Sequence, residues 1–216
     1  MSSESTTAHA HQFVDARQQR DAVGMGMWIF LIGEVMFFGG LFTGYGVYRL
    51  RYPQVFAEAA HHLDIVLGTI NTVVLITSSL TMALAVQGAQ VADRRNVMRF
   101  LAVTIILGCV FLGIKGFEYA HKAHEHLLPG TSFQYHSAAH AGPARIFFSF
   151  YFVMTGVHAA HLVIGIIVML ILAVMSGRQR AAMSSNSIEA VGLYWHLVDI
   201  IWIFLFPMLY LIGRHG

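Results

Sequence analysis

Five long apolar runs limit what this chain can fold into more than any motif does. They cover about 23–48, 65–86, 97–117, 146–175 and 188–212. Each can cross a hydrocarbon layer of roughly 30 Å as a helix. None alternates as a strand would, and lipid tolerates only helices or closed barrels because every backbone group must be satisfied internally. The expected fold is therefore all-α, a polytopic integral membrane protein built as a bundle of five transmembrane helices. Residues 1–22 form a polar tail and 23–216 the membrane domain. The tail mixes both charge signs and lacks an apolar core, which distinguishes it from a cleavable signal peptide.

Composition agrees. The chain is 56% hydrophobic and 11% charged, against roughly 25% charged in a soluble domain. Thirteen basic and eleven acidic residues give a formal net charge of +2, so no basic field points to nucleic acid. The single cysteine, Cys109, rules out a disulfide framework and a cysteine-based metal site. Lys and Arg in the loops set the expected orientation. Arg17, Arg20, Arg94, Arg95, Arg99, Arg178 and Arg180 lie on one side, and Arg49, Arg51, Lys122, Arg145 and Arg214 on the other. That bias places the amino terminus in the cytoplasm.

Polar side chains inside the spans are the functional candidates, because each costs about 2.5 kcal/mol or more to insert. Glu34 sits near the middle of the first span. It is a proton-handling or proton-gating group, an anchor for a lipid or a neighbouring subunit, or a neutral acid in an interhelical hydrogen bond. The second span carries Asn71, Thr72, Thr77, Ser78, Ser79 and Thr81, which suit close helix packing. In the third, Lys115 and Glu118 are three apart and expected to pair, with the lysine stem reaching toward the interface. In the fourth, His158 and His161 share a face and are expected to bond to Glu or to lipid phosphate. The last span holds Tyr194-Trp195-His196-Leu197-Val198-Asp199-Ile200-Ile201-Trp202. His196 and Asp199 are neighbours on one face, with Glu189 two turns earlier, and Trp195, Asp199, Trp202 and Phe206 follow 4-3-4 spacing. Groups this costly should face protein. The loop from Tyr119 to Ala144 adds five histidines.

Together these motifs resemble subunit III of the haem-copper respiratory oxidases, the cytochrome c oxidase subunit III family. Gly33 to Phe38 matches the family's Ser-Glu-Val-x-Phe-Phe-like stretch, with Glu34 as the acid. Asn71 to Ser79 resembles its hydroxyl-rich helix, and Glu118-Tyr119 its Glu-Tyr pair. Thr155-Gly156-Val157-His158-Ala159-Ala160-His161 matches Thr-Gly-x-His-x-x-His, and Glu189-Ala190 through Trp202 matches the last helix. The resemblance implies a non-redox subunit of a proton-pumping terminal oxidase in the bacterial cytoplasmic membrane. It implies no cofactor and no catalytic residue in this chain. Haem and copper would belong to the catalytic subunit I on which it docks, with bound phospholipid between helices. Glu34 corresponds to the family's carbodiimide-reactive carboxylate. Glu34, Glu118, Glu189 and Asp199 become candidates for buried polar or proton-related roles. His158, His161, Trp195, His196 and Trp202 become candidates for lipid or interhelical contact.

Two features depart from the family. Its usual fold has seven helices, two of them a separate pair ahead of the rest, and this chain matches the last five. Lys115 stands where the family usually has Gln. Rival readings are a related small subunit of a nitric oxide reductase, a lipid-binding scaffold, and a stand-alone di-iron membrane enzyme. The last would use the Glu-x-x-His pairs Glu58/His61 and Glu118/His121.

Overall fold

The computed structural model describes residues 16–130, 135, 140–178 and 185–211. The tail at 1–15, His136 and Ile212 lie outside the described residues. Six α-helices follow in order: α1 (Ala16–Arg51), α2 (Pro53–His61), α3 (Ile65–Gln90), α4 (Arg94–His124), α5 (Ala141–Arg178) and α6 (Ser185–Phe206). A π-helical turn, Pro207–Leu211, continues α6. Pro207 has no N–H to give the preceding turn, and widening to a π-turn lets the chain continue. Among the described residues, five helices are long and apolar enough to span a membrane, as the sequence predicts.

Helix ends differ from the apolar runs in an instructive way. Helix α1 begins at Ala16, inside the expected tail, and α4 continues to His124, through His121 of the histidine-rich loop. Hydropathy marks where side chains stop being apolar. The backbone hydrogen-bond ladder continues into the interface.

Helix α2 is an element that the apolar runs do not predict, for residues 53–61 fall between the first two of them. Pro53 forces Tyr52 out of helical geometry (φ −131°) and starts a new helix, where its missing N–H leaves nothing unsatisfied. Val55, Phe56, Ala59 and Ala60 form its buried stripe. Phe56 packs edge-on against Phe147 at 5.4 Å and lies 5.4 Å from the Tyr45 ring. Nine residues are too few to register as an apolar run.

Caps define the neighbouring helices. Asp64 accepts hydrogen bonds from the amides of Val66 and Leu67 at the start of α3, and Asp93 accepts from Asn96 N at the start of α4. Between α3 and α4 the chain reverses through Ala92, which adopts φ 56°. The tight reversal makes α3 and α4 an antiparallel hairpin.

Helix α6 packs on α3, α4 and α5 through large aromatics. Trp195 and Trp202 are fully buried. Gly108 and Gly165 make room for Trp195: a Cβ at either position would lie 3.0 Å from its ring. Helix α1 is peripheral. Trp28, Ile29, Met36 and Leu50 are exposed along it, while Phe38 and Tyr45 anchor it to the core. A helix apolar on its outward faces suits lipid or another membrane protein.

Candidate functional site

The polar groups of the spans fall into three places. The first joins α1 to α5. His161 Nδ1 lies 2.9 Å from the Val157 carbonyl, which can only accept, so Nδ1 carries a hydrogen. The other nitrogen, Nε2, lies 3.1 Å from Glu34 Oε2. Phe38 stands edge-on to His161 at 5.8 Å, and Tyr194 donates to the His161 carbonyl at 2.8 Å. The expected bond of His161 to an acid therefore corresponds to a contact with Glu34.

His158 is placed differently from expectation. It is buried between Phe111 and Trp202, with ring centroids at 5.6 and 5.2 Å, and neither ring nitrogen has a hydrogen bond. It meets neither an acid nor the lipid face. Spacing of three leaves about 60° between two side chains, which is enough here to aim His161 at α1 and His158 at the α4–α6 interior.

The second place is the seam between α3 and α6, where the hydroxyl-rich helix receives the last one. Trp195 Nε1 donates to Ser78 Oγ at 2.9 Å, and Trp202 Nε1 to Thr72 Oγ1 at 3.1 Å. Ser79 Oγ lies 2.7 Å from His196 Nδ1. Each indole must find an acceptor once buried, and α3 supplies one at each level. Asp199 lies beside Ser79, yet neither of its oxygens has a hydrogen bond. Glu189 stands apart, near the start of α6, where Gln90 Nε2 donates to it at 3.2 Å.

The third place surrounds Lys115. Its Nζ donates to Glu118 Oε2 at 2.9 Å and to Tyr210 Oη at 2.7 Å, with Tyr151 Oη at 3.3 Å. Both tyrosines then donate to Glu118 Oε1, at 2.9 and 2.6 Å. Four aromatic rings, those of Tyr119, Tyr151, Trp202 and Tyr210, lie 5.1–5.7 Å from the ammonium. The expected pairing with Glu118 is present, but the expected reach toward the interface is not: Lys115 is 3% exposed. The compensated cage removes the need to snorkel and accounts for a lysine where the family usually has Gln. Tyr151 and Tyr210 were not singled out in the sequence, since aromatic residues are common in membrane helices and nothing local marks these two as hydroxyl donors.

At the end of α4 a recess of about 350 Å³ is lined by His61, His62, Asp64, His121, Lys122 and Glu125, among others. Lys122 bonds Glu125 at 2.6 Å. Burial alone would raise the Glu125 pKa, but the Lys122 bond and charge, with His121 and His62, hold it below the usual carboxylate value. Of the Glu-x-x-His pairs, His61, Glu118 and His121 line this recess and Glu58 does not, and the ion-pair partners of Glu58, Glu118 and His121 are other groups. Glu58 faces His140 at 3.4 Å, His121 faces Glu125 at 3.3 Å, and Glu118 belongs to the lysine cage. Among the described residues no three His, Cys, Asp or Glu side chains are grouped as a metal site would need.

Comparison with known proteins bears on this arrangement directly. The family model for cytochrome c oxidase subunit III matches residues 1–214. Cytochrome c oxidase subunit 3 of Corynebacterium diphtheriae is 32% identical over 94% of this chain and 94% of its own length. Quinol oxidase subunit 3 of Bacillus spizizenii is 32% identical over 89% of this chain and 88% of its own. A haem-copper oxidase subunit I+III of Aeropyrum pernix is 29% identical over 89% of this chain, which corresponds to 23% of that longer protein. Five apolar helices, the motifs they carry and a match across almost the whole length agree: this chain belongs to the cytochrome c oxidase subunit III family.

Proposed function

We propose that the chain is the non-redox subunit of a proton-pumping haem-copper terminal oxidase that reduces oxygen to water. In this reading it packs on a catalytic subunit I that holds the haem and copper, and binds phospholipid along its outer faces. It lies in the bacterial cytoplasmic membrane with its amino terminus on the cytoplasmic side. The observation that carries the proposal is the contact between Glu34 of the peripheral helix α1 and His161 of α5. An acid and a base, each about one-fifth exposed, meet here at the edge of the bundle rather than in its core. Such a pair suits support of proton uptake.

Cytochrome c is the donor in this reading. A quinol is the second reading, because relatives named as cytochrome c oxidase and quinol oxidase subunits match this chain at the same identity. Glu34→Gln retains a neutral polar side chain and should leave assembly intact while slowing proton-coupled turnover.

The test is purification through a tag on this chain, followed by a reduced-minus-oxidised visible spectrum, metal analysis and oxygen uptake with reduced cytochrome c or quinol. Haem and copper in the complex, with none on the chain expressed alone, are expected. Haem with non-haem iron and no copper would point to a nitric oxide reductase. Iron kept by the isolated chain would overturn the proposal.

A further inference from the structure

The α3–α6 seam is open on its outer side. A recess of about 240 Å³ opens there, lined by Thr72, Ile76, Ser79, His196, Asp199 and Ile203, among others. Asp199 is 3% exposed, and neither carboxylate oxygen has a hydrogen-bond partner. Its neighbour Ser79 is already engaged by His196 Nδ1. A buried acid without a hydrogen bond is costly in any low-dielectric setting, and the nearest donor of this chain, the Ser79 hydroxyl, is shared with His196.

Depth decides what further donor can reach Asp199. Asp199 lies 13 residues after Asn186 and 12 before Leu211, in the middle of its span. At a rise of about 1.5 Å per residue, each end of the span is roughly 18–20 Å away. A lipid headgroup sits at the ends, so it does not meet Asp199. Around the recess, Ile76, Ile200 and Ile203 are about half exposed. They form an apolar rim that another helix could cover. A subunit I and a subunit III share one polypeptide in the Aeropyrum pernix relative, which identifies the kind of membrane protein that lies within reach.

We propose that the α3–α6 recess is the docking face for a transmembrane helix of the catalytic subunit, which places a hydroxyl, amide or indole donor against Asp199. The inference rests on the functional reading above and adds the face used and the group recognised. It also separates two polar groups of α1 and α6: Glu34 meets His161 within this chain, and Asp199 is a contact residue.

The experiment uses the assembled complex in its own membrane. Ile203→p-benzoylphenylalanine puts a photo-crosslinker on the rim. Ile106→p-benzoylphenylalanine puts one on the far side of α4, two residues from Gly108, which faces Trp195. Illumination should join position 203, and not position 106, to the haem-bearing subunit. Lipid adducts alone from 203, together with subunit crosslinks from 106, would overturn the docking face while leaving the functional reading in place. A tagged chain that brings down no haem-copper subunit would overturn both.

Asp199→Asn keeps a hydrogen-bonding group and should preserve the complex. Asp199→Leu should lower the recovered catalytic subunit on the order of ten-fold, which corresponds to about 1.4 kcal/mol of association. Equal recovery with Asn and Leu would contradict a polar contact at this position.

Discussion

Lys115 and Asp199 are both ionisable groups buried in the same bundle, and the chain treats them oppositely. Around Lys115 every strong partner comes from within: Glu118 on its own helix, Tyr151 from α5 and Tyr210 from the π-turn. Around Asp199 the seam offers indole donors, but they point at Ser78 and Thr72 instead. The carboxylate is left without a hydrogen bond beside a side opening. The first arrangement holds the bundle together. The second leaves its acid at an opening in the side of the bundle, where the proposed docking helix would supply the missing partner. Burial alone therefore does not identify a functional residue in a membrane protein; the difference lies in which groups the fold leaves unfinished.

The largest effect should come from opening the closed site. Lys115→Met leaves Glu118 buried with its tyrosines but no cation, a loss of about 3–5 kcal/mol, read as denaturant unfolding of the purified chain in detergent. Adding Glu118→Leu should restore much of it. A single variant as stable as the parent would mean that the cage is ornamental.

Packing beside the seam comes next. Gly165→Ala places a Cβ 3.0 Å from the Trp195 ring, and crowding of this kind costs about 1–3 kcal/mol. The same unfolding assay should show it. A neutral result would mean that α5 and α6 can separate at little cost, and that the seam is looser than its contacts imply.

Removing one hydroxyl should cost less. Ser78→Ala deprives Trp195 Nε1 of its acceptor, with an expected loss of about 1 kcal/mol in a membrane setting. Indole fluorescence should report a changed Trp195 environment.

The smallest effect is a pH dependence outside the membrane. The Glu125 pKa is lowered in the folded state, chiefly through Lys122 against the opposing effect of burial. Its contribution is therefore present above the unfolded carboxylate pKa and is lost as pH falls through the lowered folded value. Glu125 is more than one-third exposed, so solvent screening keeps the effect slight. Lys122→Met should flatten that acid limb by slightly lowering stability at neutral pH while leaving stability below the limb nearly unchanged.

The bundle itself was legible in the sequence because apolar length is a one-dimensional property. Glu34, Lys115, Glu118 and Asp199 stood out for the same reason, as costly groups in a hydrocarbon background. Their partners did not. Lys115 and Glu118 are close in sequence and pair as expected, but Tyr210 reaches them from 95 positions away. The depth of Lys115 was misread because its compensation is assembled from three different elements. Helix α2 was missed because it lies outside the long apolar runs, and its four buried residues become a stripe only once a helix is assumed.

The contrast between the two buried groups has one direct measurement. Lys115→Met and Asp199→Leu should be compared for recovery of the chain expressed alone and recovery of the complete complex, in the same membranes. Lys115→Met should lower both, whereas Asp199→Leu should spare the isolated chain and deplete the complex. A loss of the isolated chain with Asp199→Leu as large as with Lys115→Met would contradict the account, for Asp199 would then be part of the bundle's own core.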